Sequence, residues 1–352
     1  MKINFLVPEI VRSGGIRTVF EYANRLTKRG HTVIVYTPVI PFNPYRPKLI
    51  FPILKHQLKY GVKQINGKPF MPPNIYQRTF KIKAIPAVNN FFVTNADAIV
   101  ATSWTTAYHV NKLNKKKGKK FYLIQDFEIW NSNVELAQDS YRLPLNRTVV
   151  SKYLHELLKN KFGVESIIIS AGVSFNDFYN DNKVYNDPPA ILFNDHQLEH
   201  KNVKGLLEIV KMLKQKYPKL IVRSFGVNQH SEMPDYIEFH KNPGDEELRK
   251  LYCNSDIFLF ASKYEGFGTP SAEAMACKCA LVANAVAAIP EYSVNMETAI
   301  HCNPNNPGEL FNGVCYLIEN PSELKRISEA GYELTRKLLS WDTAVEKFEK
   351  LI

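Results

Sequence analysis

The feature that most constrains the fold lies at the N-terminus, where two apolar runs flank a helical pattern. Residues 3–7 are apolar except for Asn4 and indicate a buried strand, and the glycines at 14 and 15 mark a turn. Apolar residues then recur at helical spacing over 16–29, and 33–36 begins a second strand. This order forms one βαβ unit, which requires parallel strands joined by a right-handed crossover.

The same alternation returns along the rest of the chain. Residues 38–86, rich in Pro, aromatic and basic residues, predict irregular chain around one or two strands. Elsewhere we predict strands at 98–101, 121–124, 149–150, 167–170, 190–193, 220–225, 257–261 and 280–283, and helices at 105–113, 151–162, 203–217, 245–253 and from Pro270 onward. The pattern predicts an α/β fold of two Rossmann-like domains in tandem.

Charge and composition place a boundary near the middle of the chain. The polar segment 176–182, followed by Pro188-Pro189, is typical of a linker. Residues 1–180 carry 26 Lys or Arg against 10 Asp or Glu, whereas 181–352 carry 19 against 24. The split suggests modules with different partners, and the basic half would attract anionic lipid headgroups, a phosphorylated acceptor or nucleic acid.

Several classes of protein and site are disfavoured by the sequence. The longest apolar runs fall short of the ~20 residues that cross a bilayer. Pro8 and Glu9 interrupt the N-terminal apolar run before a secretory signal could form, so we expect a cytoplasmic protein. The five cysteines form no C-x-x-C pair, which argues against disulfides and structural zinc. Since no D-x-D motif occurs, we also expect no metal.

The segment whose residues are best suited to bind a ligand is 262–274, which follows a predicted buried strand. By topology it lies at the carboxyl edge of a parallel sheet, where α/β proteins bind ligands. Gly266 and Gly268 let backbone N–H groups approach an anion, and Thr269-Pro270 predicts an N-cap and helix start. Taken singly, Glu265 could be a solvated loop acid and Glu273 a helix-dipole partner. Together, they indicate binding of the vicinal hydroxyls of a ribose and a sugar beside a diphosphate.

The nine residues from Glu265 to Glu273 resemble the E-x7-E motif of retaining glycosyltransferases with the GT-B fold, family four in particular. Ser13-Gly14-Gly15 resembles the family's N-terminal glycine loop, and Ser340-Trp341-Asp342 its terminal helix. The resemblance implies two Rossmann-like domains facing each other across a cleft, with the C-terminal helix crossing back to the first. Residues 1–178 with the helix at about 340–352 would bind the acceptor, and 179–339 the nucleotide-sugar donor.

The resemblance also implies a donor site. Glu273 would hold the ribose hydroxyls, and Glu265 would lie near the donor sugar. The amides of Phe267, Gly268 and Thr269 would line the sugar phosphate. Gly14 and Gly15 would close on the diphosphate from the other domain, although a plain tight turn also explains them.

The basic residues expected to bind the diphosphate match the family's pattern only in part. Lys201 matches the family's lysine, but His196 stands where the family has arginine. Lys204 is a second candidate, for which a solvated helix face is an equal explanation. With Lys201 and Glu265 as the catalytic pair, lysine, helix dipole and amides would balance the charge of the leaving group without metal or cofactor.

On the acceptor side, Gln125 and Asp126 follow a predicted strand and Arg17 lies on the first helix. Asp126 is either a catalytic polar contact or proton acceptor, or a turn residue. The histidine that the family often places near the acceptor is absent.

The leading prediction is a metal-independent, retaining hexosyl or deoxyhexosyl transferase acting on a glycan, lipid-linked or other acceptor, in cell-surface polysaccharide or glycolipid synthesis. Its basic half could contact an anionic membrane peripherally. The alternative is a nucleic-acid-binding protein, against which the sequence lacks an interleaved basic and aromatic recognition motif, so no nucleic acid is expected. A nicotinamide dehydrogenase is third, since the first turn lacks G-x-G-x-x-G spacing.

Overall fold

The computed structural model describes residues 1–11, 13–39, 78–128 and 133–352. The chain divides into two compact units. The first comprises Met1–Ser170 and Trp341–Ile352, and the second is Ala171–Ser340. Much of the predicted irregular region, residues 40–77, lies outside the described residues.

The first unit contains a parallel sheet whose strand order is β3-β2-β1-β4-β5-β6-β7. Its carboxyl edge gathers the loops that follow each strand, because all the paired strands run in one direction. The strands are β1 (Lys2–Leu6), β2 (Thr32–Pro38), β3 (Lys81–Ile85), β4 (Ala98–Ala101), β5 (Lys119–Ile124), β6 (Asn146–Val149) and β7 (Ile167–Ile168).

The described helices of this unit are α1 (Gly14–Lys28), α2 (Trp104–Lys112), α3 (Val134–Ser140), α4 (Lys152–Phe162) and the terminal α11 (Trp341–Glu349). Helix α11 packs on the first unit through aromatic rings: Tyr22 contacts Trp341 edge-on, with ring centroids 5.3 Å apart, and Phe348 at 5.2 Å. The prediction that the C-terminal helix returns to the N-terminal domain is confirmed.

The second unit contains a parallel sheet of order β10-β9-β8-β11-β12-β13. Its strands are β8 (Ile191–Asn194), β9 (Val222–Gly226), β10 (Glu238–Lys241), β11 (Ile257–Phe260), β12 (Ala280–Asn284) and β13 (Ile300–Cys302). Its helices are α5 (Val203–Lys216), α6 (Asp245–Cys253), α7 (Thr269–Ala276), α8 (Ile289–Tyr292), α9 (Pro307–Glu319) and α10 (Pro321–Leu338). Strand order reverses between β8 and β11, the point at which such sheets bind ligands.

A buried ion pair fastens the start of the second unit to its sheet. Lys183 Nζ lies 3.2 Å from a carboxylate oxygen of Asp256, and the two side chains are 1% and 0% exposed. The other oxygen of Asp256 accepts hydrogen bonds from the side chain of Asn186 at 2.7 Å and the N–H of Ala190 at 2.8 Å. Residues 183–190, which directly follow the predicted linker segment 176–182 and include Pro188-Pro189, are therefore held next to β11.

Several elements differ from the sequence prediction. Gly14 and Gly15 are the first residues of α1, capped by the Ser13 side chain, rather than a separate turn. Helix α3 and strand β10 were not predicted, because α3 spans only seven residues and β10 is a four-residue edge strand with little apolar character. Of the helices in the described ranges, none has both the length and the apolarity needed to span a bilayer.

Candidate functional site

Two loops meet at the strand-order reversal of the second sheet. One follows β8 and leads through a 3₁₀ turn, Glu199–Lys201, into α5; the other follows β11 and leads into α7. Because β8 and β11 pair in parallel, both loops lie at the same edge. The backbone N–H of Lys263 donates to the carbonyl of His200 at 2.8 Å and joins them directly.

The centre of the site is an ion pair between these loops. Lys201 Nζ lies 2.5 Å from Glu265 Oε1, and the side chains are 17% and 10% exposed. The same carboxylate oxygen accepts a hydrogen bond from Ser262 Oγ at 2.9 Å. The structure thus brings together two of the three predicted catalytic residues, Lys201 and Glu265, whereas Asp126 belongs to the first unit. Glu265 is buried rather than a solvated loop acid. Ser262 was not predicted as a site residue, although it is the first residue of the segment 262–274.

A left-handed glycine turns the chain from β11 into α7. Gly268 has φ 82° and is the N-cap, so the prediction of Thr269 as N-cap was wrong by one residue: Thr269 begins the helix and Pro270 is second. A Cβ on Gly268 would lie 3.1 Å from both Ile289 Cδ1 and Tyr292 Oη. Both the positive φ and the lack of room for a Cβ favour glycine at this position. Phe267 packs its ring on Tyr292 at 5.2 Å between centroids, so the amides of this turn are held at the N-terminus of α7.

Glu273 lies on the second turn of α7 and is only 5% exposed. Its Oε2 accepts a hydrogen bond from the hydroxyl of Tyr252 at 3.3 Å. Since no acid occupies the first turn of α7, pairing with the helix dipole does not explain this carboxyl. Tyr252, which lies on α6, was not predicted from the sequence.

His196 lies just beyond β8 and its imidazole is in a defined tautomer. The backbone N–H of Leu198 donates to Nδ1 at 3.1 Å, which places the proton of a neutral ring on Nε2. Burial, reinforced by the charge of Lys201 and opposed by that of Glu265, lowers the pKa of His196. His196 is therefore a neutral hydrogen-bond donor at pH 7, not a cationic substitute for arginine.

The neighbouring basic residues His200 and Lys204 differ in their contacts. His200 stacks on Tyr264 at 4.3 Å between ring centroids, and burial lowers its pKa to about 4. Lys204 pairs with Glu232 at 3.1 Å, and its side chain is 72% exposed. Of the two candidate lysines, only Lys201 is joined to the Glu265 loop.

The predicted acceptor-side residues lie in the first unit, at the carboxyl edge of its sheet. A Cβ on Gly15 would lie 3.6 Å from the side-chain oxygen of Gln125, so the start of α1 and the end of β5 meet there. Asp126 Oδ1 accepts a hydrogen bond from the N–H of Phe127 at 2.8 Å, a local turn contact. Arg17 lies in the first turn of α1, where its N–H donates to the Ser13 carbonyl.

A further carboxyl at this edge was missed from the sequence. Glu128 Oε2 accepts a hydrogen bond from the N–H of Trp104 at 3.2 Å, at the start of α2. Burial, with a smaller contribution from Asp126, raises the pKa of Glu128 to about 8. The only signal in the sequence was its position two residues after Asp126. A carboxyl that holds its proton at neutral pH can donate a hydrogen bond to an oxygen.

Within the described ranges, no group of three or more His, Cys, Asp or Glu side chains is arranged to hold a metal ion. Lys201 is the cation in contact with Glu265.

The second unit matches a known family over nearly its whole length. Residues 175–334 fit the model described as glycosyl transferases group 1. The 160 matched residues make up just under half of the 352-residue chain, and all of them lie in the second unit. The motif between Glu265 and Glu273 lies inside the matched segment, so the resemblance drawn from those residues is confirmed.

Two curated relatives are similar to part of this chain. The MMP alpha-(1->4)-mannosyltransferase of Mycolicibacterium hassiacum is 28% identical over 42% of this chain and 36% of its own length. The O-antigen chain mannosyltransferase B of Escherichia coli is 26% identical over 40% of each chain. The chain therefore spans well under half of the length of these two relatives.

Among solved structures, Anabaena HepE in complex with UDP and glucose is similar over 100% of this chain and 99% of its own, with a TM-score of 0.72 at 13% identity. Likeness at this level concerns the fold, and it confirms the predicted GT-B fold. The family match and the relatives give no support to the alternative of a nucleic-acid-binding protein.

Proposed function

We propose that this protein is a retaining, metal-independent glycosyltransferase that takes a sugar from a nucleotide-sugar donor bound by the second unit. The observation that carries the proposal is the constellation of Lys201, Glu265 and Glu273 around the N-terminus of α7. It combines a cation and helix amides, which suit a diphosphate, with two buried carboxylates, which suit hydroxyl groups.

The comparisons favour hexoses as the transferred sugars. Two relatives are named as mannosyltransferases, one of them acting on O-antigen chains, and HepE was solved with UDP and glucose. We therefore place this protein in the synthesis of a cell-surface polysaccharide or glycolipid, with a glycan or lipid-linked acceptor.

The chemistry follows from where negative charge develops. As the bond between the sugar and the diphosphate breaks, charge accumulates on the departing phosphate oxygens. The ammonium of Lys201 and the amides of Gly268 and Thr269 would stabilise that charge, which is the largest contribution enzymes make to such reactions. The acceptor hydroxyl would then attack from the face that the diphosphate leaves, so the anomeric configuration is retained without a protein nucleophile.

The ion pair also explains how Glu265 becomes available to the sugar. In the structure, Lys201 and Ser262 both occupy the oxygen Oε1 of Glu265. A diphosphate carries more negative charge than one carboxylate and would compete for Lys201. Glu265 would then turn its freed acceptor sites to a sugar hydroxyl. Donor binding would thus convert an internal salt bridge into two contacts with the substrate.

For the acceptor, we propose the carboxyl edge of the first sheet. Gln125 and Arg17 offer hydrogen bonds to acceptor hydroxyls. Glu128, which stays protonated near neutral pH, would help Asp126 to keep its negative charge by not adding a second one. Asp126 would then accept the proton of the attacking hydroxyl.

A prediction concerns His196 as a neutral donor to the diphosphate. His196→Ala should weaken donor affinity by about tenfold or more, because a hydrogen bond to a charged oxygen contributes ~1.5–3 kcal/mol. His196→Gln, whose amide N–H can reach the position of Nε2, should recover most of that loss. The measurement is the donor dissociation constant of each variant, obtained by calorimetric titration.

The pH dependence provides the control on charge. Because the pKa of His196 is lowered from its ordinary value, the imidazole remains neutral as the pH falls from 8 to about 7. kcat/KM, which reports on the free enzyme, should show no rise from protonation of this residue in that range. A rise that is present in the wild type and absent in His196→Gln would mean that the imidazolium binds the phosphate, against this assignment.

The function as a whole is tested by a thermal-unfolding panel of UDP-, GDP- and dTDP-sugars, with and without EDTA. A donor at ~100 times its dissociation constant should stabilise the protein by about 2.7 kcal/mol. We expect at least one nucleotide sugar to do so equally in both buffers. Stabilisation that disappears with EDTA would contradict the metal-independent mechanism.

A further inference from the structure

The amino-terminal edge of the first sheet carries an exposed surface that the proposed reaction does not use. Residues 86–97 lead into β4, and the 3₁₀ turn Lys115–Lys117 leads into β5. Since β4 and β5 are parallel neighbours, both segments lie at the amino ends of the strands. Gly15 and Gln125 belong to the opposite edge of the same sheet.

These two segments are joined by hydrogen bonds. The N–H of Asn114 donates to Asn90 Oδ1 at 2.9 Å. Lys117 is 5% exposed, and its Nζ donates to the Val93 carbonyl at 2.6 Å and to Asn95 Oδ1 at 2.9 Å. The loop and the lysine turn therefore form one connected structure.

An aromatic side chain stands at the tip of this structure. Phe91 is 87% exposed, more than the other large hydrophobic residues described. Its backbone N–H and that of Phe92 both donate to Asn89 Oδ1, at 2.9 and 3.0 Å, so a local turn presents the ring to solvent. Phe92 meets it edge-on with centroids 5.1 Å apart. Leaving this much apolar surface in water is unfavourable, which suggests a partner.

Positive charge lies on the turn that is joined to this loop. Lys112, Lys115 and Lys116 are all exposed, on the end of α2 and the turn that Asn114 ties to the loop. Residues 78–120 contain nine Lys or Arg and a single acid, Asp97, whose carboxylate accepts a hydrogen bond from a backbone N–H at 2.6 Å.

The rest of the amino-terminal edge of the first sheet is also positively charged. Strands β1, β3 and β5 each begin with an exposed lysine, namely Lys2, Lys81 and Lys119. The acids that α11 brings near this edge are already paired, Glu349 with Arg29 at 2.7 Å and Glu346 with Lys350 at 2.7 Å.

We propose that a basic-aromatic tip, defined as Phe91, Phe92, Lys112, Lys115 and Lys116, docks this protein on an anionic lipid bilayer. An aromatic ring partitions favourably to the depth of the lipid headgroups, and lysines beside it reach the lipid phosphates. A nucleic acid would satisfy the lysines, but the edge-on pair of rings offers no array on which successive bases could stack. The purpose of docking, which is to hold the enzyme where lipid-linked acceptors are found, rests on the proposed function. The docking surface itself does not.

The test is sedimentation of the full-length protein with vesicles of phosphatidylcholine, with and without about one third phosphatidylglycerol. We expect binding to the anionic vesicles only, weakened by salt. Each lysine near an anionic surface contributes about fivefold to affinity, so Lys115→Glu with Lys116→Glu should cost at least about 25-fold. Phe91→Ser should cost about tenfold at constant charge.

Matched controls come from the acidic second unit. Val184 is 76% exposed, so Val184→Ser removes an apolar surface residue elsewhere. Lys325 and Lys337 are exposed on α10, so their joint replacement by Glu repeats the charge change away from the tip. Both controls should bind vesicles within about twofold of the wild type, since distant surface substitutions have small effects.

Three results would overturn the proposal: no binding of the wild type to anionic vesicles, unchanged binding of both tip variants, or equal losses in the controls. Tight binding of a single-stranded oligonucleotide without vesicle binding would also overturn it, in favour of a nucleic acid. Stabilisation by the nucleotide sugar is measured on the same samples. If that stabilisation is absent while vesicle binding follows the tip, the proposed function fails and the docking surface stands.

Discussion

Replacing Lys201 by Gln should lower kcat by about 10²–10³ when the acceptor is saturating. Its ammonium is the cation joined to Glu265, at 2.5 Å, and it would stabilise the charge of the departing diphosphate. Losing one preorganised group of this kind typically has an effect of that size. Lys201→Arg, which keeps the charge, should recover part of the rate. Steady-state kinetics with the donor identified by the unfolding panel provide the measurement.

The chain supplies a close control for this substitution. Lys204 lies three residues further on, is exposed and pairs with Glu232 at 3.1 Å. Lys204→Gln makes the same change of charge and should leave kcat within about twofold, because a surface ion pair contributes ~1 kcal/mol or less. If Lys204→Gln lowers kcat as much as Lys201→Gln does, net charge rather than position is responsible, and the assignment of Lys201 fails.

The largest effect on stability should follow from Lys183→Met. The Lys183–Asp256 pair is almost fully buried, and removing one partner leaves a buried carboxylate without its cation. Such a change costs ~3–5 kcal/mol. For a unit of this size each kcal/mol lowers Tm by ~2–4 °C, so the second unit should unfold many degrees earlier. Differential scanning calorimetry measures this directly.

Lys250→Met is the matched surface substitution. Lys250 pairs with Glu246 at 2.8 Å on α6, and both side chains are more than half exposed. Its loss should change the free energy of unfolding by less than about 0.5 kcal/mol. A Lys183→Met protein as stable as the Lys250→Met protein would show that residues 183–190 are not fastened to the sheet by this pair.

The fold was predictable where short-range signals agree. Residues 3–7 are apolar except for Asn4, and β1 lies almost on this segment, at Lys2–Leu6. Phe162-Gly163 predicted the end of α4, which stops at Phe162 with Gly163 in the left-handed conformation. Strand β10 was not predicted because three of its four residues, Glu238–Lys241, are polar, and pairing at the edge of a sheet makes them a strand.

The site was predictable as a list of residues and not as an arrangement. The glycine spacing and the two acids of the motif identified Glu265 and Glu273 from sequence alone. Lys201 was also predicted, but its direct contact with Glu265, 64 positions away, was not. Tyr252, 21 positions from Glu273, was not predicted at all. Likewise, the tautomer of His196 depends on a single backbone N–H, that of Leu198, whose direction only the folded loop determines.

The central claim is that buried carboxylates of the second unit bind the hydroxyls of a nucleotide sugar, and calorimetric titration of the donor into wild type and Glu273→Ala tests it most directly. Two lost hydrogen bonds to a charged group predict a dissociation constant about a hundredfold higher in the variant. Glu333→Ala, an exposed acid on α10, should titrate like the wild type. Equal donor affinity in wild type and Glu273→Ala, with both proteins folded, would contradict the account.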